Sequence, residues 1–212
     1  WDKINSQNVN YLKLQVYTDD VLLYQTEKLE PCIHYDAPGK IIYLPWATDL
    51  LPHEIDPTTR TPHTNTSYWV GSMGDGIHGN NGQLEGFKRA CADNGILFQH
   101  ANNLSIEDNR RVIAESYMAP AIVGAWQRDK GYIPCRIFKN ISYGKFGATN
   151  SARVNELFDG KLVYSENEYD LFGLMKQKMD SPTYEQELTD LITFVREKHT
   201  YINRINTLLS VL

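Results

Sequence analysis

The sequence predicts an α/β fold: a doubly wound parallel sheet with a small β-rich portion before it and a long helix after it. Three observations predict this. Apolar and polar residues alternate at strand period between Tyr11 and Leu44. From Ser67 to Tyr164 strand-like and helix-like runs alternate, the pattern of parallel strands joined by crossover helices. From Leu188 to Leu212 apolar residues recur at helical spacing. The 212 residues are 42% hydrophobic and 22% charged, ordinary globular values for a chain long enough to bury a core.

The elements follow in order. Residues 11–17, 21–24 and 40–44 read as strands, bounded by turn chemistry at Asp19-Asp20, Pro31 and Ala37-Pro38-Gly39. Residues 51–65 hold three prolines and four threonines, a composition that reads as a linker rather than core. This divides the chain into a reduced first domain (1–50), a linker (51–66), a main domain (67–180) and a closing helix (181–212). In the main domain, strand 67–72 runs into a glycine-rich loop from Gly71 to Gly82. Helix 83–94 ends at Gly95, and strand 96–100 follows. Ser105 caps the next helix, with Asp108 three residues on. Strand 121–124, helix 136–143, strand 145–149, helix 154–158 and strand 161–164 complete the alternation. Ser181-Pro182 starts the last helix as N-cap and N1. His199 lies close to its apolar stripe and reads first as a packing residue.

Composition excludes several classes. Lys and Arg number 21 against 26 Asp and Glu, a net charge of −5, which argues against a nucleic-acid partner held by a general basic surface. No apolar run is long enough for a transmembrane segment. The three cysteines, Cys32, Cys91 and Cys135, are odd in number and form no C-x-x-C pair; a reducing, cytoplasmic setting is expected and a structural zinc site is not. The chain begins at Trp1 rather than Met, which reads as a piece of a larger polypeptide, with a compact enzyme of one full and one reduced domain as the alternative.

Two stretches carry candidate chemistry. Gly74-Asp-Gly-Ile-His-Gly79 is a literal G-x-G-x-x-G between a strand and a helix, where backbone can approach a pyrophosphate. An NAD-binding unit also needs an acid at the end of the second strand, and His100-Ala-Asn-Asn103 supplies none. There is no P-loop, nucleophile elbow or paired-histidine metal motif. The second stretch is Tyr132 to Asn150, which opens a helix near Arg136. Orphan amides and a guanidinium together suit a diphosphate. By spacing alone, Arg136 and Lys139 equally fit a solvated helix face.

The order of these motifs resembles the carboxy-terminal domain of CgeB-like glycosyltransferases. The residues that carry the resemblance are Val70-Gly-Ser72, Leu104-Ser105 through Tyr117, Arg136-Ile-Phe138, Tyr143-Gly144 and Thr149-Asn150. To these are added the tail Glu197-Lys-His-Thr-Tyr-Ile-Asn-Arg204 through Leu209 and the crossing Leu44-Pro-Trp-Ala-Thr-Asp49. The likeness spans roughly residues 40–212. It implies a GT-B architecture, in which two Rossmann-like domains face a cleft and the carboxy-terminal one binds a nucleoside-diphosphate sugar, UDP type foremost, with a glycan or glycoprotein as acceptor. No metal is expected, since the chain lacks the D-x-D pair of metal-dependent glycosyltransferases.

Carried over, the resemblance implies that Gly71 and Ser72 face the cleft and that Arg136 meets the diphosphate. Ser142, Tyr143, Gly144, Thr149 and Asn150 would border the ribose and phosphates. Where family members commonly carry Glu to hold the ribose, this chain has Lys139, which can pair with phosphate but cannot accept from hydroxyls. Asp75 and His78 are candidates beside Arg136 for catalysis, and Asp19, Asp20 and Asp49 are further candidate bases. The alternatives are a nucleotide-sugar-binding module without turnover and an NAD-type oxidoreductase resting on Gly74–Gly79.

Overall fold

The computed structural model describes residues 14–17, 40–43 and 45–210. They form a mixed α/β fold built on short parallel strand pairs. Strands β1 (Leu14–Tyr17) and β2 (Lys40–Tyr43) pair in parallel, Leu14 opposite Lys40 and Tyr17 opposite Tyr43. The strand expected over 21–24, and Asp19 and Asp20, lie outside the described residues.

The main body begins with β3 (Thr66–Val70), α1 (Asn81–Asp93) and β4 (Leu97–Ala101), with β3 and β4 parallel and Trp69 opposite His100. Helix α2 (Ile106–Ala114) starts at Ser105, whose Oγ accepts from the Asp108 amide at 3.0 Å, the cap expected from sequence. Beyond it come α3 (Ala125–Asp129), α4 (Cys135–Ser142), β5 (Ala148–Thr149), α5 (Ala152–Leu157) and β6 (Val163–Tyr164), with β5 and β6 again parallel.

The strand expected at 121–124 is not one. Ala121 alone makes a parallel bridge, to Thr149, and donates to Ala148 O at 2.8 Å. Upstream, Tyr117 N donates to Thr66 O (2.7 Å), and the hydroxyls of Ser116 and Ser67 accept from Tyr68 N and Met118 N. The physical reason is Pro120, which has no N–H for a ladder. Side chains take the place of strand partners: the Asn150 amide accepts from Val123 N and donates to Val123 O, both at 2.9 Å. Residues 116–123 are thus hydrogen-bonded to β3 on one side and to β5 and Asn150 on the other.

Helix α6 (Glu168–Met179) has no counterpart in the sequence reading. Its amphipathicity is weak, and Gly173 interrupts it, yet Leu171, Phe172 and Met175 are buried and it packs on α1. The legible signal was Asn167, whose side chain accepts from the amides of Tyr169 and Asp170. The closing helix is two helices, α7 (Tyr184–Lys198) and α8 (Tyr201–Leu209). It begins after Pro182 rather than with it, at an N-cap on Thr183. The break lies at His199-Thr200, where Thr200 and Asn203 form a reciprocal capping box that starts a new helix.

That junction anchors the segment entering the main body. Arg204 donates to Pro45 O (2.8 Å), Trp46 O (3.0 Å) and His199 Nδ1 (3.0 Å), and Thr48 bridges Thr200 in parallel. His199 is buried among Phe138, Phe158 and Phe194, with ring centroids 4.9–5.7 Å away, which bears out its packing role. The Pro/Thr-rich segment is also firmly held, although its composition argued against core packing. Ile55 is buried in the core, Asp56 caps a turn through Thr58 and Thr59, and Arg60 bonds Glu185 and Thr189 of α7. The core itself is aromatic-rich, with Trp69, Phe87, Phe138, Phe146, Phe158 and Phe172 fully buried. Each such side chain contributes about 1.5–3 kcal/mol by leaving water.

Candidate functional site

Helix α4 has one strongly apolar face, with Ile137, Phe138 and Ile141 in the core. This orientation fixes where its second residue, Arg136, goes. The guanidinium lies over the Trp69 ring, 3.5 Å from its centroid, and Nη2 donates to Val70 O at 2.8 Å. Burial pushes the Arg136 pKa down to about 10, so it stays cationic at neutral pH. Among the described residues no carboxylate pairs with it. A desolvated guanidinium satisfied only by a carbonyl and an indole face retains N–H groups for an anion.

Gly71 completes this corner. Its φ is +115°, and a Cβ there would come within 2.9 Å of Arg136 Nη2, so the residue type serves both the turn and the close approach. His100 Nε2 donates to Gly71 O at 2.7 Å. Ser72 is exposed beside it, and its carbonyl accepts from the Trp69 indole N–H. Gly71, Ser72 and Arg136, expected together from sequence, are brought together.

Lys139 is three residues along the same helix and makes a different contact. Its Nζ lies 3.1 Å from Asp49 Oδ2, and the Tyr143 hydroxyl donates its one proton to the same carboxylate, 2.7 and 2.9 Å from its two oxygens. Burial, then the Asp49 carboxylate, raises the Tyr143 pKa above the ordinary phenol range. Ser142 Oγ bonds Thr48 Oγ1 at 2.7 Å. Lys139, Ser142, Tyr143 and Asp49 therefore tie the entering segment to α4. Gly144, at φ +91°, closes the helix end. Thr149 and Asn150 are fully buried, with Thr149 bonded to Ala121 O and Asn150 to Val123 and Glu168.

The glycine-rich loop closes on itself. Gly74 O accepts from Asn80 N and Asn81 N (3.0 Å each), Gly74 N donates to Asn80 Oδ1, and Gly79 N donates to Gly76 O. The Gly74 and Gly79 amides, which a pyrophosphate would use in a G-x-G-x-x-G loop, are spent within the loop. Asp75 accepts from Asn81 Nδ2 at 2.8 Å, and His78 meets Trp126 edge to face at 4.6 Å. The loop rests on Gly124, where a Cβ would run into the Gly79 carbonyl. Gly124→Ala is therefore expected to cost about 1–3 kcal/mol by overpacking and to shift the loop. Thermal melts and the amide signals of 74–82 check both.

Sequence reasoning missed Trp69, His100 and Trp126. Trp69 carried a signal, an aromatic in the strand directly before the loop; Trp126 carried none, because α3 was not foreseen. Among the described residues there is no group of three or more His, Cys, Asp or Glu that could hold a metal, and no helix long and apolar enough to cross a membrane. Cys91 and Cys135 are free thiols, and burial pushes the Cys91 pKa up to about 12. Compared with known proteins, the chain matches no family model and no curated sequence.

Proposed function

We propose that this chain binds a nucleoside-diphosphate sugar as the donor half of a metal-independent glycosyltransferase of GT-B type. The observation that carries the reading is Arg136: a desolvated guanidinium with no carboxylate partner among the described residues, held at the first turn of α4 beside Gly71 and exposed Ser72. The topology supports it. If residues 116–123 are counted as a strand position, the hydrogen-bonded order is β4, β3, 116–123, β5, β6. Numbered along the chain, that is 2-1-3-4-5, the order of a doubly wound, Rossmann-like sheet. Such sheets bind ligands at the carboxyl ends of the strands where the order reverses. Here that place is the gap between the end of β3 and residues 121–124, flanked by the loop from Gly71 and by α4.

In this reading negative charge grows on the departing diphosphate as the sugar's anomeric bond breaks. Arg136 and the amides of the first turn of α4 stabilise that charge in a water-poor corner. Lys139 is committed to Asp49, so Arg136 carries most of the cationic load. The acceptor hydroxyl needs a base, and Asp75, at the loop surface, is the described candidate with an accessible carboxylate. A donor-binding module without turnover is the second reading, favoured by the commitment of Asp49 to Tyr143 and Lys139. Calorimetric titration with UDP-, GDP- and dTDP-sugars and with NAD tests the proposal. Sugar-nucleotide binding with release or transfer of the sugar supports it, and binding without either favours the second reading. NAD binding alone overturns both.

A further inference from the structure

Between the glycine loop, the start of α1 and α3 lies a half-open cleft of about 530 Å³, within the size range of small-ligand sites. The loop supplies Asp75, the first turn of α1 supplies Asn81 and Gln83, and α3 supplies Trp126 and Asp129. We propose that this cleft binds a neutral saccharide and is the acceptor side of the transferase; the acceptor role rests on the function proposed above, while the binding chemistry does not.

The lining decides the ligand class. It contains two carboxylates, Asp75 and Asp129, and neither lysine nor arginine, which disfavours phosphate and suits hydroxyl donors. The amides of Asn81 and Gln83 add N–H donors for hydroxyl oxygens, groups for which an organic cation has no use. Trp126 gives a half-exposed aromatic ring, braced by His78, on which the C–H face of a pyranose can stack. Asn81 is set by its own bond to Asp75, which fixes the amide orientation and leaves its Oδ1 without a donor. Gly74, Gly76, Gly79 and Gly82 line the wall without side chains.

The test uses the indole N–H signals of the four tryptophans in a proton–nitrogen correlation spectrum. The signal of Trp126 is identified by its loss in Trp126→Ala. The probes are methyl glucoside, methyl galactoside, methyl N-acetylglucosaminide and cellobiose, with choline as the cationic control. One or more glycosides should shift the Trp126 signal saturably, with affinity at least about tenfold weaker in Asp129→Asn, a surface change that leaves the fold intact. The shift should persist in Arg136→Ala, which separates this cleft from the diphosphate corner. If the glycosides leave Trp126 unmoved, or choline moves it in their place, the saccharide assignment falls whatever UDP does. If glycosides bind and no nucleotide does, the cleft stands and the transferase reading falls.

Discussion

Arg136→Ala is expected to weaken UDP binding about 10- to 100-fold while leaving the melting temperature nearly unchanged. The magnitude follows from losing a charge-assisted pair of hydrogen bonds, about 1.5–3 kcal/mol in total. The fold should survive because α4 is anchored by Ile137, Phe138 and Ile141, and because removing a desolvated cation offsets part of the lost stacking on Trp69. Arg136→Lys should restore only part of the affinity, since an ammonium keeps the charge but not the planar fork. Calorimetry on the three proteins, beside their melts, checks this. Unchanged affinity in the alanine variant removes Arg136 from the site.

The second large effect is acid sensitivity through His199. Burial, reinforced by the Arg204 cation, pushes its pKa down to about 3 from the ordinary 6.5. Arg204 can only donate, so Nδ1 must be the acceptor and the ring is neutral with its proton on Nε2. Between pH 6.5 and 3 the unfolded chain takes up a proton that the folded chain refuses. Stability at this site is therefore complete above 6.5 and falls on acidification, with a slope reaching about 1.4 kcal/mol per pH unit. The junction of α7, α8 and residues 45–48 should loosen first. Denaturant melts across that range in wild type and His199→Gln check the effect; the variant should be less stable at neutral pH but show the shallower dependence. Parallel curves would mean that His199 is not the linked group.

Much of the architecture was legible because it rests on local chemistry. Ser105 and Asp108 announced α2, Gly95 announced the end of α1, and the apolar positions of α4 announced its buried face. What failed was decided by tertiary partners. Residues 121–124 are as apolar as a strand, but Pro120 removes a ladder donor and Asn150 supplies the missing partner from far along the chain. Helix α6 is held by packing on α1 more than by its own periodicity. The apolar stripe from Leu188 to Leu212 ran through a capping box that the pattern alone did not weigh.

The candidate site shows the same division. Gly71, Ser72 and Arg136 meet, and their meeting follows from a strand end, a positive φ and a helix start. Lys139 fitted a phosphate contact and a solvated helix face equally, and its ion pair with Asp49, ninety residues away in sequence, had no local signal. Trp126 could not be foreseen, because nothing local marks α3 as the wall of a cleft.

The most direct test of the central claim is a backbone amide map of the protein titrated with UDP. The largest shifts are expected at Gly71, Ser72 and residues 135–137, together with the side-chain Nε–H of Arg136, with no comparable response to NAD. Shifts confined to residues away from that corner, or a response to NAD with none to UDP, would contradict it.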